Sequence, residues 1–434
     1  VTTMLDPAMA ARVGDRVAAR LVAESKQDSW DPANRRAAVD RLCAQELQTE
    51  VAAALSAGLP SPRREVTDQV ARSVADRLLG FGGLQRYLDL PGVEDIDVLG
   101  HDVVFVKYAG KRRERGLWPV AASDAELIDL VGTIAARSGI EERSFDRRAP
   151  ILSIGLPDGS RLSAVMAVNK RPSVTIRRHL HRDIDLDELV RLGTIDVALR
   201  DFLTAAVQAR CNILIAGGMG AGKTTMLRAL ATAIDPYEKL VTIEDAFELG
   251  LGADPERHAV VDALQAREAN AEGVGRISAA GLVRAGLRLS AGRVIVGEVR
   301  GDETLPMLLA MSQGNDGSLS TVHAESADAA FDRLITYALL APERAPAEAV
   351  ARLAAHGIDL VLHIAELGDG LRVVREVAEV TGSHADQVVT NRLYQPGPDG
   401  IAVRATPPST SLTERLATVG YNPFAARTQE RQGW

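Results

Sequence analysis

A chain of 434 residues, 46% hydrophobic and 25% charged, has the make-up of a globular protein and is too long for one small core, which favours two or three domains. Its longest apolar runs, such as Cys211 to Ala216, fall far short of the ~20 residues of a membrane span, and no basic-then-apolar segment opens the chain, so work at a membrane is expected from the cytoplasmic side. The net charge of −8 and 4% aromatic content argue against a general nucleic-acid binder, and the two cysteines, Cys43 and Cys211, are too few for a disulfide framework or a cysteine-rich zinc site.

Residues 1–79 read as helical. Val39, Leu42, Cys43, Leu47, Val51 and Leu55 recur at spacings of three and four and share one helix face. After the breaker Leu59-Pro60-Ser61-Pro62 the pattern resumes with Val66, Val70, Val74 and Leu78. From Val93 the texture changes to short strands, Asp95 to Leu99 and Val103 to Lys107, with turns at Gly100 and Gly110. A helix is expected over Ser123 to Ala136, capped by Ser123 with Glu126 three residues on. Strands Ile151 to Gly155 and Arg161 to Val168 bracket the turn Pro157-Asp158-Gly159. A last strand, Ser173 to Arg177, precedes the charged stretch His179 to Asp183, read as an interdomain linker.

Beyond it, helical and β-rich runs alternate, the signature of a parallel sheet with crossover helices. Leu199, Phe202, Leu203, Ala206 and Val207 form a helix face, and Cys211 to Ala216 a buried strand. Thr224 to Ile234 is a helix, Lys239 to Glu244 and Arg293 to Glu298 are strands, Leu305 to Met311 is helical, and Ser318 to His323 is a strand. The tail after Thr406, richer in Pro, Ser and Thr, is expected to be loosely attached. The expected division is a helical extension (1–79), a smaller α+β domain (80–182), an α/β domain with a mostly parallel sheet (183–406) and a tail (407–434).

Gly217-Gly218-Met219-Gly220-Ala221-Gly222-Lys223-Thr224 fits G-x-x-x-x-G-K-[ST] between a buried strand and a helix. Glycines let the backbone curl so that its N–H groups face phosphate oxygens, aided by the helix N-terminus. Lys223 offers a compact positive charge to the β- and γ-phosphates, and Thr224 a hydroxyl to Mg2+. The expected ligand is ATP with Mg2+, held by Gly217, Gly218, Gly220, Ala221, Gly222, Lys223, Thr224 and Thr225. Hydrolysis also needs a second carboxylate near the metal and a group that orients or deprotonates water. Two expected strands end in acids, Ile243-Glu244-Asp245-Ala246-Phe247-Glu248 and Val296-Gly297-Glu298, where parallel α/β sheets bind ligands. His323 closes a third.

Taken in order, these motifs resemble those of the type II/type IV secretion ATPases, most closely the CpaF/TadA-type (tight adherence) pilus-assembly branch, over residues 65–390. Gly217 to Thr224 matches the family's Walker A loop, Ile243 to Leu249 its Asp box, Ile295 to Arg300 its Walker B segment, and Gly314 to Ala324 its His box. Leu264 to Arg267, Glu272 to Gly275 and Leu79 to Leu84 also look like this branch. The resemblance implies a RecA-like, three-layer P-loop motor domain joined by a linker to the N-terminal domain, assembled as a homo-hexamer. It implies Glu244 as the water-activating base, Glu298 as the acid of the Mg2+ shell together with Thr224, and His323 as a γ-phosphate sensor. Arg161 and Arg177 match the arginines that reach the γ-phosphate from the N-terminal domain. Where the family reads Arg-Pro-Asp before Walker B this chain has Ser290-Ala291-Gly292, and Asn315 stands for the histidine that opens the His box. Both departures are expected beside the chemistry. The absence of the four-cysteine zinc module of many type II relatives points to the pilus-assembly branch.

The leading expectation is thus an ATPase, peripheral to the cytoplasmic face of the membrane, that pushes on an inner-membrane platform protein of a pilus or secretion machine, with no direct nucleic-acid partner. Two other readings stay open. One is a nucleic-acid motor of a conjugation-type system, for which the cluster Lys170, Arg171, Arg177, Arg178 and Arg182 is the support. The other is a weakly active, nucleotide-regulated scaffold, motivated by Gly292 and Asn315.

Overall fold

The computed structural model describes residues 7–25, 32–108, 111–137, 145–156, 158–178, 184–267, 269, 273–368 and 370–424. The linker expected over His179 to Asp183, the turn residue Gly110, Glu272 and residues 425–434 lie outside them. The chain divides into two compact units, Val1–Leu180 and His181–Trp434.

In the first unit, helices α1 (Pro7–Ser25), α2 (Pro32–Ser56) and α3 (Arg64–Leu78) pack side by side. Met9, Val13, Val17 and Leu21, spaced by four along α1, meet Val39, Leu42, Cys43 and Leu47 of α2 and Val70 and Val74 of α3. Leu55, expected on the same α2 face, lies past the last layer of that cluster and is 59% exposed.

A short helix, α4 (Gln85–Leu88), leads into a six-stranded sheet. Its strands are β1 (Val93–Leu99), β2 (Val103–Tyr108), β3 (Glu114–Arg115), β4 (Ile151–Gly155), β5 (Arg161–Val165) and β6 (Ser173–Arg177), in the order β3-β2-β1-β6-β5-β4, all antiparallel. The two-residue period sends Ile96, Val98, Val104, Val106, Leu162, Ala164, Val174 and Ile176 into one core with Leu127, Val131 and Ile134 of helix α5 (Asp124–Arg137). Ser123 caps α5 as expected, its hydroxyl accepting from the Glu126 N–H at 3.2 Å, while the Glu126 carboxylate reaches back to the Ala122 N–H at 2.8 Å. Strand β5 stops at Val165, short of the expected Val168, because Ala167 turns into the left-handed region at φ +62°.

The second unit opens with α6 (Leu186–Arg191) and α7 (Val197–Gln208). There follow β7 (Ile213–Gly217), α8 (Lys223–Ala231), β8 (Leu240–Glu244), β9 (Val261–Gln265), α9 (Ala279–Gly286), β10 (Arg293–Val299), α10 (Thr304–Ser312) and β11 (Leu319–His323). The chain continues through α11 (Ala327–Leu340), α12 (Ala347–Gly357), β12 (Leu360–Glu366), β13 (Arg372–His384), β14 (Gln387–Pro396), β15 (Ala402–Arg404) and α13 (Thr410–Ala417). The nine strands lie in the order β15-β14-β13-β12-β7-β11-β10-β8-β9. From β12 to β9 every pairing is parallel, and β13 to β15 add an antiparallel meander at one edge.

Successive residues of the central strands feed two cores, which makes the unit three-layered. Ile213, Ile215, Leu360 and Leu362 pack with α7 and α8 on one face. Leu214, Ala216, Val241, Ile243, Val294 and Val296 pack with α10, α11 and α12 on the other. Cys43 and Cys211 are both buried and unbridged.

At the amino ends of the strands one side chain joins several segments. Asn212 Nδ2 donates to the Met311 and Gly357 carbonyls (3.0 and 2.7 Å), its Oδ1 accepts from the Ser318 N–H (2.9 Å), and its own N–H goes to Asp359 (2.7 Å). Residues 407–424, expected as a loose tail, belong to this unit. Leu412 and Leu416 of α13 are buried in its core, and Arg415 donates to Asp359 (2.8 Å) and to the Ala209 carbonyl (2.9 Å). The Pro- and Ser-rich start of that segment hid a capped amphipathic helix: Ser409 accepts from the Leu412 N–H at 3.2 Å.

Candidate functional site

Strand β7 is apolar and buried along its whole length, and its last residue, Gly217, starts the loop that ends at α8. A Cβ on Gly217 would stand 2.6 Å from the Ile364 carbonyl oxygen, so nothing larger fits there. Gly220 and Gly222 take φ of +74° and +99°, which L side chains rarely adopt. The first hydrogen bond into α8 is from the Met226 N–H to the Gly222 carbonyl at 2.9 Å. The N–H groups of Lys223, Thr224 and Thr225 therefore belong to the open first turn of the helix, a ready anion site. Lys223 lies along the loop, donating from Nζ to the Gly217 and Gly218 carbonyls at 3.1 and 3.0 Å.

The register brings the acids and the histidine to the same end of the sheet. His323 is the β-partner of Gly217, and Val296, two residues before Glu298, is the partner of Ile243, one before Glu244. Gly217, His323, Glu298 and Glu244 thus stand on the adjacent parallel strands β7, β11, β10 and β8, at their carboxyl ends. Glu298 is half-buried, with Oε1 3.9 Å from Lys223 Nζ and Oε2 accepting from Arg300 Nε at 2.8 Å. Arg300 also reaches Asp245 at 3.3 Å and so ties the two acidic segments together.

Glu244 is only 5% exposed. Its Oε2 accepts from the Glu248 and Leu249 N–H groups, both at 2.7 Å. Burial pushes its carboxyl up from the ordinary 4.5 to about 7, outweighing those two hydrogen bonds, which favour the charged form. A carboxyl poised there suits proton transfer near neutrality. The close approach of β10 is allowed by Gly297, where a Cβ would lie 3.3 Å from Glu244 Cγ.

Arg161 and Arg177 belong to the other unit, where they are direct β-partners on β5 and β6 and lie on the sheet face opposite α5. Arg161 Nε donates to Ser153 Oγ and Arg177 Nε to Asp95 Oδ1, both at 3.1 Å.

The two departures, expected beside the chemistry, lie at the other end of the sheet. Gly292 precedes β10 and donates its N–H to the Lys239 carbonyl at 2.9 Å, at the amino end of β8. Asn315 precedes β11 and accepts from Ser318 Oγ at 2.8 Å. In a parallel sheet all amino ends share one edge, so Gly292 is separated from Glu298 by roughly 20 Å of strand. Adjacency in sequence to a motif was misleading because the motifs sit at strand ends. Gly292 has its own structural reason: a Cβ there would meet Glu238 Cγ at 2.9 Å and the Lys239 carbonyl at 3.0 Å.

Sequence reasoning missed Arg228, Glu303 and Arg293. Arg228 of α8 is 4% exposed and donates to the carbonyls of Leu249 (3.0 Å) and Glu248. Glu303 accepts from the N–H groups of Arg300 and Gly301 and shapes the turn after β10. Arg293, 2% exposed, bonds Glu238 and the Val207 and Gly317 carbonyls. The one available signal was a charge inside an apolar pattern, as in Met226-Leu227-Arg228-Ala229-Leu230.

Residues 134–362 match the family model described as type II/IV secretion system protein. The chain is 33% identical over 317 residues to a putative conjugal transfer protein of Mycobacterium tuberculosis, covering 71% of this chain and 86% of that one. It is 33% identical over 295 residues to the type IV secretion system protein PtlH of Bordetella pertussis, covering 62% and 85%. Among solved structures, the VirB11 ATPase of the Brucella suis type IV secretion system aligns at a TM-score of 0.37 and 28% identity, over 68% of this chain and 92% of that one. The pilus retraction motor PilT with bound ADP aligns at 0.48 and 15%, over 78% and 86%. More than half of the chain falls within the family model, and a relative above 30% identity covers more than two thirds of it; the chain belongs to the type II/IV secretion system protein family.

Proposed function

We propose that the chain is an ATPase that powers pilus assembly or secretion from the cytoplasmic face of the membrane, as a homo-hexamer acting on an inner-membrane platform protein. The observation that carries this reading is the convergence of Lys223, Glu298, Glu244 and His323 on the loop from Gly217 to Gly222, at the carboxyl ends of four adjacent parallel strands.

The loop fits a triphosphate: its N–H groups open at the start of α8, and Lys223 can exchange two backbone carbonyls for phosphate oxygens. Thr224 and Glu298 offer the hydroxyl and the carboxylate that would hold Mg2+ through its water shell. Bound there, the metal would neutralise charge developing on the β- and γ-phosphate oxygens. Glu244, nearly buried and held by two N–H groups, takes the proton from the attacking water. His323, beside Gly217, reads the γ-phosphate. Arg161 and Arg177, β-partners on one sheet face, are the arginines we assign to supplying further positive charge to the γ-phosphate. Among the described residues no helix is long and apolar enough to cross a membrane, which leaves the platform partner to provide the membrane contact. Membership of the CpaF/TadA branch rests on the motif set and on having only two cysteines.

A nucleic-acid motor draws support from the conjugal transfer names of several relatives. Against it, Arg171 is engaged by Asp102 and Asp124, so this arginine of the basic cluster faces carboxylates of its own. The scaffold reading loses its motive, since Gly292 and Asn315 lie a strand length from the acids.

The deciding experiment is Mg2+-dependent ATP hydrolysis as a function of protein concentration, with Lys223→Ala and Glu244→Gln as controls and sizing in parallel. Turnover that grows with hexamer and vanishes in both variants supports the motor. ATP binding without turnover in the unaltered chain sinks it, and stimulation by single-stranded DNA would revive the nucleic-acid reading.

A further inference from the structure

The wall of the phosphate loop away from the acids is built by the β12–β13 hairpin. Ile364 of β12 is the β-partner of Gly217, and its Cδ1 stands 3.6 Å from where a Cβ on Gly222 would be. Across the hairpin, Arg372 of β13 is the partner of Glu366, and its Cδ lies 3.4 Å from the same point on Gly222. The Arg372 stem therefore lies against the residue that opens α8, with its guanidinium within one side-chain reach of the loop. The side chain is 26% exposed, and Nε stands 3.7 Å from Glu366 Oε2, a loose pairing with a carboxylate that is itself 41% exposed.

This arrangement is directional. Glu298, Glu244 and His323 all stand on strands to one side of β7, and β12 and β13 stand on the other. A nucleoside triphosphate is linear. If its γ-phosphate faces the acids, and the first turn of α8 with Lys223 takes the β- and γ-phosphates, the remaining phosphate and the nucleoside leave past Gly222 toward the hairpin. A permanently charged, forked side chain, that of Arg372, lies on that side.

We infer that Arg372 grips the α-phosphate of the bound nucleotide through a charge-assisted hydrogen bond. The inference rests on the nucleotide-binding reading above, and it makes the two ends of the ligand the business of opposite sides of β7. Arg372 would hold ADP as well as ATP, because the α-phosphate is common to both, whereas the acids and His323 act on the γ-phosphate alone.

The test is equilibrium binding of ADP and of inorganic tripolyphosphate to the full chain. Arg372→Ala is expected to weaken ADP roughly 10- to 100-fold, with tripolyphosphate weakened in parallel, and Arg372→Lys to recover part of the loss. Arg372→Gln, which keeps a stem against Gly222, replaces the alanine variant should that one unfold. Glu366→Ala removes one carboxylate beside Arg372 and is expected to leave ADP affinity undiminished. An unchanged ADP affinity in the Arg372 variants overturns the inference. So does an equal loss in Glu366→Ala, which would make Arg372 a strut of the hairpin. A loss confined to ADP, with tripolyphosphate unaffected, moves the contact to ribose or base and overturns the α-phosphate assignment. If the unaltered chain binds neither ligand, the nucleotide reading itself falls and this one with it.

Discussion

Arg228 of α8 donates to the carbonyl of Leu249 at 3.0 Å, while the N–H of the same Leu249 is held by Glu244 at 2.7 Å. The helix that follows the glycine-rich loop therefore also fixes the segment that holds Glu244, the proposed base. Removing the guanidinium leaves the Leu249 and Glu248 carbonyls without it in a buried place. Arg228→Met is expected to cost about 1–3 kcal/mol in urea unfolding. It should lower kcat far more than ATP affinity, since the phosphate loop keeps its own contacts. Equal losses in both would mean that Arg228 serves the loop alone.

As the proposed base, Glu244 is expected to set the pH dependence of turnover. With its carboxyl at about 7, kcat/KM for ATP should rise with pH through that value and level off above it, as the group loses the proton that blocks it. Stability moves the other way. A carboxyl raised in the folded state contributes stability that is full below the ordinary value of 4.5 and is lost as pH rises through about 7. Glu244→Gln, permanently neutral, should bind ATP, lose roughly 10²- to 10⁴-fold in turnover, and unfold at higher denaturant than the unaltered chain at alkaline pH. A flat pH profile would remove Glu244 from the proton transfer.

Gly297 gives Glu244 its room. A methyl group there would press on Glu244 Cγ at 3.3 Å, and Glu244 is held on its other side by two N–H groups. Gly297→Ala should lower turnover by about tenfold, a 1.4 kcal/mol misplacement, with ATP affinity kept. Unaltered turnover would show that Glu244 tolerates displacement, which a base aimed at one water cannot.

Asn315 offers the converse case. It bonds the Ala310 carbonyl at 3.4 Å and accepts from Ser318, at the edge of the sheet remote from the acids. Restoring the family residue in Asn315→His should change turnover by less than about twofold, as expected for sites separated by more than ~10 Å. A large gain in rate would mean that this edge communicates with the site.

The segment after Thr406 has a testable place in the core. Leu416 is fully buried, and Leu416→Ala should cost about 2–5 kcal/mol, read as a lower midpoint in urea. No loss would mean that α13 detaches without consequence.

How far the sequence reached depended on how local each cause is. The phosphate loop, the acids and His323 were legible because each closes a short apolar strand, and strand ends in a parallel sheet coincide in space. Arg228 was not, since its partners lie 20 and 21 residues away and its own neighbours read as plain helix. The hairpin carrying Arg372 escaped for another reason. Strands β13 and β14 run past the core at their far ends, so exposed Val389 and buried Val377 look alike in a string of residues. The position of Gly292 and Asn315 required the strand direction as well as the motif.

The amide of Asn212 has a mechanical meaning. Helix α13 reaches Asp359 through Arg415, Asp359 reaches the Asn212 N–H, and the Asn212 side chain reaches the ends of α10 and α12 and the start of β11. A pull on any of these elements converges on one residue at the root of β7. Strand β7 is thus anchored at its amino end by bonds to four other elements, and the loop proposed to hold phosphate lies at its opposite end, so a substitution at Asn212 is expected to loosen both.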